Sequence, residues 1–390
     1  MTSLGAKTEM AGTTNGVSVP VNADTDPQVL VRHIVARARA AMAAYENTDQ
    51  ERVDDAVRAL AWAIYKPENA EMLARLAVND TGLGDVQSKI IKNTRKTFGT
   101  LRDLLRAKTV GVISNEPERG LVKYGKPVGV VGAVCPSTNP AATPVNKAMM
   151  ALKGGNAVVI APSPAGYATT SKTVDLMRAE LKKSGHPEDL VQVLPSPVSK
   201  ELTQALMDQV DLAVVTGSQN NVKRAMQSGT VAIGVGAGNV PVIIDASADL
   251  DAAAEKICAS KIFDNSTSCS SENAVVILDE IYEDAVAALE LAGGWRCSPQ
   301  ERERVRNTLW IDGKLNRRVI AKDAAITAEV MGLPEDAKSS SFFMVEEDAI
   351  GGKHSFADEK LSLVLTVYRA KDFADAKRIV RDVLDVTGKG

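Results

Sequence analysis

From Asp26 onward the apolar positions first follow a helical beat. Leu30, Ile34, Ala38, Ala41, Met42 and Tyr45 recur at three- and four-residue spacing behind Asp26-Pro27. An acceptor side chain followed by a proline that needs no N–H partner is how a helix opens. Further stripes over 49–65 and 68–78 are divided at Lys66-Pro67 and put Trp62 and Met72 at core positions. Asn79-Asp80-Thr81-Gly82-Leu83-Gly84 closes this block, and the short runs 110–114 and 120–124 around a polar turn read as a pair of strands. At Pro127 the period changes. Short apolar runs at 128–134, 157–160, 191–194, 212–215 and 240–244 read as buried strands, and helical patterns at 141–153, 168–183 and 199–209 separate the first four. Strands alternating with helices imply an α/β fold with a parallel sheet and crossover helices, which binds ligands at the carboxyl ends of its strands.

One stretch breaks this rhythm. Phe263-Asp264-Asn265-Ser266-Thr267-Ser268-Cys269-Ser270-Ser271-Glu272-Asn273 is polar and small, with one thiol in its middle. An amphipathic run over 250–262 leads in and an apolar run over 274–278 leads out, so Cys269 is expected on an exposed turn between two packed elements. Cysteine reacts as its thiolate; amides in a tight turn favour that form, and small neighbours leave room for a substrate. Cys135, Cys258 and Cys297 lack such flanks and read as inert buried thiols.

Bulk properties narrow the picture. The 390 residues suffice for two domains, and 45% hydrophobic with 24% charged residues is an ordinary globular composition. A formal charge of -3 without a basic stripe argues against a nucleic-acid binder. No apolar run has the length to cross a bilayer. The segment 1–26 lacks the charged and apolar regions of a secretory signal and reads as a loose arm on a cytoplasmic enzyme. Four scattered cysteines, with His33, His186 and His354 clustered near none of them, give no metal-ligand spacing and suggest a reducing compartment. No metal is expected, and His354 reads as a surface residue.

The thiol loop also carries a resemblance. Asp264, Asn265, Cys269 and Glu272 match the Asp-Asn-x-x-x-Cys-x-x-Glu loop of the CoA-acylating branch of the aldehyde dehydrogenase superfamily, which the chain resembles from about Pro27 to Gly390. That likeness makes Cys269 the nucleophile. Val134-Cys135-Pro136-Ser137-Thr138-Asn139-Pro140 is similar to the family's Pro-Trp-Asn segment, which gives Asn139 the role of oxyanion donor and places Ser137 and Thr138 against the cofactor. From the residues alone, Asn139 equally suits capping the helix that begins near Ala141. Ala161, Pro162 and Ser163 stand where relatives grip the adenosine ribose with Lys-Pro-x-Glu; both lysine and acid are absent, which leaves NADP open beside NAD.

Gly217-Ser218, before a helix over 220–227, resembles the family's Thr-Gly-Ser turn and offers backbone N–H groups to a pyrophosphate. The glycine-rich segment 229–238, with Gly236 assigned to the cofactor, connects to the catalytic part. Hydrolytic relatives carry Glu-Leu-Gly-Gly-Lys there, with a glutamate that activates water, and the corresponding place falls on Gly234. An acyl group on Cys269 without such a base is expected to pass to a thiol, that of coenzyme A. Residues 354–365 resemble a Glu-Lys-Leu-x-Pro-Val-Leu signature, with Leu363 in place of proline, so Glu359 is expected on the nicotinamide ribose. The chain ends at Thr387-Gly388-Lys389-Gly390, where relatives continue with a Gly-His segment.

The resemblance therefore implies a Rossmann-like parallel-sheet cofactor domain plus a second α/β catalytic domain. The expected divisions are an arm at 1–26, a dinucleotide-binding domain at 27–235 with an oligomerisation ribbon, and a catalytic domain at 236–390. The implied reaction converts an aldehyde to its acyl-CoA with NAD or NADP and coenzyme A, in a homodimer or homotetramer. The Ser-Thr-Ser-Cys-Ser-Ser run is most similar to members of that branch acting on sulfoacetaldehyde, with acetaldehyde or another short aldehyde next. A non-acylating aldehyde or semialdehyde dehydrogenase and a non-catalytic nucleotide-binding or assembly protein are the rival expectations.

Overall fold

The structure, a computed structural model, describes residues 26–352 and 355–387. The expected N-terminal arm up to residue 25, His354 and the last three residues lie outside the described residues, whereas Asp26, expected at the end of that arm, caps the first helix. Helices Pro27–Ala43, Gln50–Tyr65 and Pro67–Thr81 form where the stripes place them. Asp26 accepts from the Gln28 N–H, Asp49 accepts from the Arg52 N–H, and Gly82, at φ 65°, ends the third helix in the left-handed conformation glycine favours. Met72 packs partly buried against the core, but Trp62 does not join it. Leu60, Ala61, Ala63 and Ile64 take the inward positions of their helix, so Trp62 falls outside, 47% exposed, and stacks on Tyr65 at 6.3 Å.

The strands Gly111–Glu116 and Leu121–Gly125 pair antiparallel as an exposed ribbon. The first large sheet is parallel throughout, in the order Val191–Val193, Ala157–Ala161, Val130–Val134, Leu212–Thr216, Val231–Val235. The chain builds outward from 130–134 on one side, then returns to lay 212–216 on the other. This reversal is the switch point at which open α/β sheets form a crevice.

Two expectations about strands need correction. The glycine-rich connection holds a strand, Val231–Val235, because Val231, Ile233 and Val235 still alternate and pair with 212–216. The run at 240–244 forms the strand Pro241–Ile244 but belongs to a second sheet. That sheet, also parallel, has the order Gly294–Arg296, Phe342–Glu346, Val364–Ala370, Ala274–Leu278, Pro241–Ile244. Helix Phe373–Thr387 packs Ala376, Ile379 and Val383 on one face, while Leu250–Ile262 and Tyr282–Leu291 cover the other. Among the described residues no helix is long and apolar enough to cross a membrane.

The two sheets meet through opposite edges. The segments with Asn139 and with Gly217-Ser218 follow the carboxyl ends of first-sheet strands, whereas the Cys269 loop and Glu359 precede the amino ends of Ala274–Leu278 and Val364–Ala370.

Candidate active site

The thiol loop opens with three left-handed residues in a row, Asp264, Asn265 and Ser266, at φ 52°, 50° and 63°. None is glycine, so each costs about 1–3 kcal/mol and must be held from outside. Asp264, fully buried, supplies most of the hold. Its N–H donates to Ser88 Oγ at 3.0 Å, and its carboxylate accepts from the Asp85 N–H at 2.9 Å, from Lys89 at 3.1 Å, from Lys92 and from the Thr267 hydroxyl. Burial alone would raise the Asp264 carboxyl, but Lys92 and Lys89 outweigh it and keep it below its ordinary range. Burial brings Lys92 down to about 8 against the pull of Asp264. The Asn265 amide donates to Asp323 at 2.7 Å, and Ser266 and Ser271 share a hydrogen bond of 2.9 Å across the base of the loop. Beyond it, the Asn273 amide reaches Asn239 Oδ1 and the Asp358 carbonyl, each at 2.9 Å. The loop is fixed at both ends and Cys269 stands exposed at its crest. Among the described residues no acceptor meets the Cys269 N–H.

Cys269, Ser268, Lys261, Asn239 and Glu359 line one cavity. Two residues read from separate motifs, Cys269 and Glu359, are thus brought together. Burial raises the Glu359 carboxyl to about 7, with Lys360 opposing. Asn139 lines a second cavity with Lys89, Lys92 and Asn93. Lys89 ties the two loops together, since its amine donates to the Thr138 carbonyl at 3.3 Å as well as to Asp264. Helix Ala142–Lys153 begins behind Asn139 without any side-chain cap, so the capping alternative for Asn139 is not what the structure holds. Burial pushes the Cys135 thiol up to about 11 and the Cys297 thiol up to about 12, as fits inert sulfurs; Cys258 is half-buried and raised by the same cause.

The aldehyde dehydrogenase family model matches residues 14–294. The chain belongs to the aldehyde dehydrogenase family. Among its relatives, a sulfoacetaldehyde dehydrogenase (acylating) from Cupriavidus necator is 48% identical over 374 residues, 96% of this chain and 76% of its own. An acetylating aldehyde dehydrogenase from Geobacillus thermoglucosidasius has a similar crystal structure, with a TM-score of 0.88 at 33% identity, over 93% of this chain and 80% of that one. A propionaldehyde dehydrogenase from Rhodopseudomonas palustris, solved with bound CoA and an acylated cysteine, gives a TM-score of 0.80 at 27% identity, over 91% and 80%. The resemblance read from the thiol loop is therefore borne out.

In this aldehyde dehydrogenase the expected cofactor positions divide into those with access and those without. Gly217, Ser218 and Gly236 lie together: the Gly217 N–H donates to the Val235 carbonyl at 3.1 Å, and a Cβ on Gly236 would fall 2.5 Å from the Gln219 side chain. The N–H of Gly217 is consequently not free, contrary to expectation, because it extends the pairing of Leu212–Thr216 with Val231–Val235. The N–H groups of Ser218, Gln219 and Asn220, at the start of helix Gln219–Gln227, meet no acceptor among the described residues, and a Cβ on Gly217 would meet nothing nearer than 3.8 Å. An open glycine beside unbonded N–H groups fits a pyrophosphate. Ser137, Thr138 and Ser163 are half-buried, while Ala161 and Pro162 are buried, so of that last trio Ser163 alone offers its side chain. Ala161 closes its strand by accepting from the Cys135 N–H at 2.9 Å.

Gly234 faces helix Gln219–Gln227 rather than the thiol: a Cβ there would lie 2.6 Å from Val222. Its neighbour Val235, on the other face of the strand, is apolar, so neither position supplies a base. Lys89, Lys92 and Lys261 escaped the sequence reading, yet all three are buried around this site, as is Lys360 of the matched signature. A signal existed for Lys261, which follows Ala254 and Ile257 on the buried stripe of helix Leu250–Ile262. Lys89 and Lys92 share a helical face at a spacing of three.

Proposed function

We propose that this enzyme oxidises a short aldehyde to its acyl-CoA through a thioester on Cys269, with residues 27–235 and 236–390 as its cofactor and catalytic domains. The observation that carries this reading is the exposed Cys269 with an unbonded N–H, on a loop tied through Lys89 to the segment of Asn139. Cys269 Sγ attacks the aldehyde carbon. The oxyanion that forms accepts from the Cys269 N–H and the Asn139 amide, donors whose removal costs about 3 kcal/mol of barrier each. A bound NAD or NADP supplies a hydride acceptor; Ser218, Gln219 and Asn220 N–H groups hold its pyrophosphate and Glu359 its nicotinamide ribose. The segment Ala161-Pro162-Ser163 has no acid to repel a 2′-phosphate, so either nucleotide is admitted. The thiol of coenzyme A then adds to the thioester carbon, and Cys269 leaves as thiolate.

For the aldehyde, sulfoacetaldehyde is favoured. Support comes from the 48% identical relative and from Ser268, whose buried hydroxyl beside Cys269 meets no partner among the described residues and suits a sulfonate oxygen. A hydrogen bond to a charged group contributes about 1.5–3 kcal/mol, so kcat/KM for sulfoacetaldehyde should exceed that for acetaldehyde by about tenfold or more with CoA present. A preference for acetaldehyde would defeat the sulfonate assignment. One observation favours a second reading: the Glu359 carboxyl lies in the Cys269 cavity at about 7, where it could activate water and release a free acid. NAD(P)H formation that ignores CoA would mark that outcome. We also infer a cytoplasmic homo-oligomer; the exposed apolar ribbon residues Ile113, Val122 and Tyr124 support self-association and the four free cysteines a reducing setting.

A further inference from the structure

We propose that Lys261 is the base that takes the proton of the Cys269 thiol. The inference rests on the reading of Cys269 as the nucleophile and adds a residue to it.

Lys261 sits in the last turn of helix Leu250–Ile262, 2% exposed, and lines the cavity of Cys269, Ser268 and Glu359. Its amine has one acceptor among the described residues, the Glu272 carbonyl at 2.9 Å. Lys360, wholly buried and close enough to repel a charge on Lys261, is bonded differently. It donates to the carbonyls of Asn273 at 3.0 Å, Phe356 at 2.7 Å and Asp358 at 3.3 Å, the full complement of an ammonium group. Two neighbouring ammonium groups out of water repel each other, and a buried unpaired charge is costly. Burial lowers Lys360 too, well below its ordinary value, with Lys261 adding to the effect. But three carbonyls accept from Lys360 and one from Lys261, so the one charge the pair can hold falls on Lys360 and Lys261 is left the neutral amine, lining one cavity with the Cys269 thiol. Burial brings Lys261 down to about 7, with Glu272 pulling the other way. The titratable and charged groups facing it are Lys360 and Glu359 from the segment before Val364–Ala370, and Glu272 and Cys269 from the thiol loop.

The step balances within the pair. The Sγ–H bond breaks, an Nζ–H bond forms, and thiol plus amine become thiolate plus ammonium, with Glu272 near enough to favour the new charge. Once the thiolate is acylated the Lys261 proton passes to solvent, the one proton the reaction releases, and the proton of the CoA thiol goes to the departing Cys269 thiolate, which restores thiol and neutral amine.

The test is the pH profile of iodoacetamide alkylation at Cys269, followed by peptide mass spectrometry, in native enzyme, Lys261→Met and Cys269→Ala. In Lys261→Met, alkylation at pH 7 should slow about tenfold. Turnover should fall with it while the KM for nucleotide stays unchanged. A folded Lys261→Met protein with the native alkylation profile overturns the proposal. If that variant does not fold, Lys261→Gln, neutral but polar, carries the same two expectations. Cys269→Ala keeps the failures apart, because turnover surviving there removes the nucleophile itself, whereas a silent Lys261 variant removes only its base.

Discussion

Asn139 and the Cys269 N–H each have a hydrogen to give and, among the described residues, no bond that claims it for the fold. Such donors are preorganised for an oxyanion, so Asn139→Ala should lower kcat by about 10²–10³ while thermal stability stays near native. Steady-state kinetics beside a melting curve check this, and a large drop in stability with kcat preserved would return Asn139 to a structural role. At this scale the sequence was most legible where chemistry is packed into neighbours. Cys269 stands among serines and an Asp-Asn pair, and Glu359 before Lys360-Leu361, so each carried its context in a few adjacent letters. Lys261, Lys89 and Lys92 did not, because a lysine reads as solvated until distant segments bury it. What buries Lys92 is Asp264, 172 positions away.

The elements that hold the site are less regular than those that build the sheets. Helix Val86–Ile91 passes through a π-helical stretch, Lys92–Lys96, before continuing as Thr97–Leu105. Such bulges gather at functional sites, and this one begins at the lysine that clamps Asp264. Asp264→Asn would leave Lys89 and Lys92 buried against a neutral amide, and removing one partner of a buried charge network costs about 3–5 kcal/mol. Urea unfolding at pH 7 should register that loss; a change below about 1 kcal/mol, the size of an exposed pair, would show that the clamp does not hold the loop. The sign with pH follows from the lowered Asp264 carboxyl. Its contribution is present above the unfolded carboxyl value and lost as pH falls through the folded one, so the native and Asp264→Asn proteins should converge in acid. The strand Val231–Val235 was hidden by four glycines in ten residues, which read as a linker until pairing with Leu212–Thr216 ordered them.

For the whole molecule, the alternation of buried runs and helical stripes after Pro127 disclosed a parallel sheet, because period alone reports which residues turn inward. It could not disclose that Pro241–Ile244 joins the second sheet, since an apolar run names no pairing partner and Ala274–Leu278 claims it only in three dimensions. The juxtaposition that matters is likewise global: the carboxyl edge of one sheet meets the amino edge of the other, and Lys89 spans the join. Gly234, at the place where hydrolytic relatives keep a carboxylate, is turned toward Val222 and its neighbour Val235 is apolar, so the proposed thioester is expected to pass to a second thiol. The direct test is to follow NAD(P)H and product together, with the preferred aldehyde, in the presence and absence of CoA. The account predicts sustained turnover only with CoA, with one acyl-CoA formed per NAD(P)H, and at most a single-turnover burst without it. Undiminished NAD(P)H formation without CoA, yielding the free acid, would contradict it.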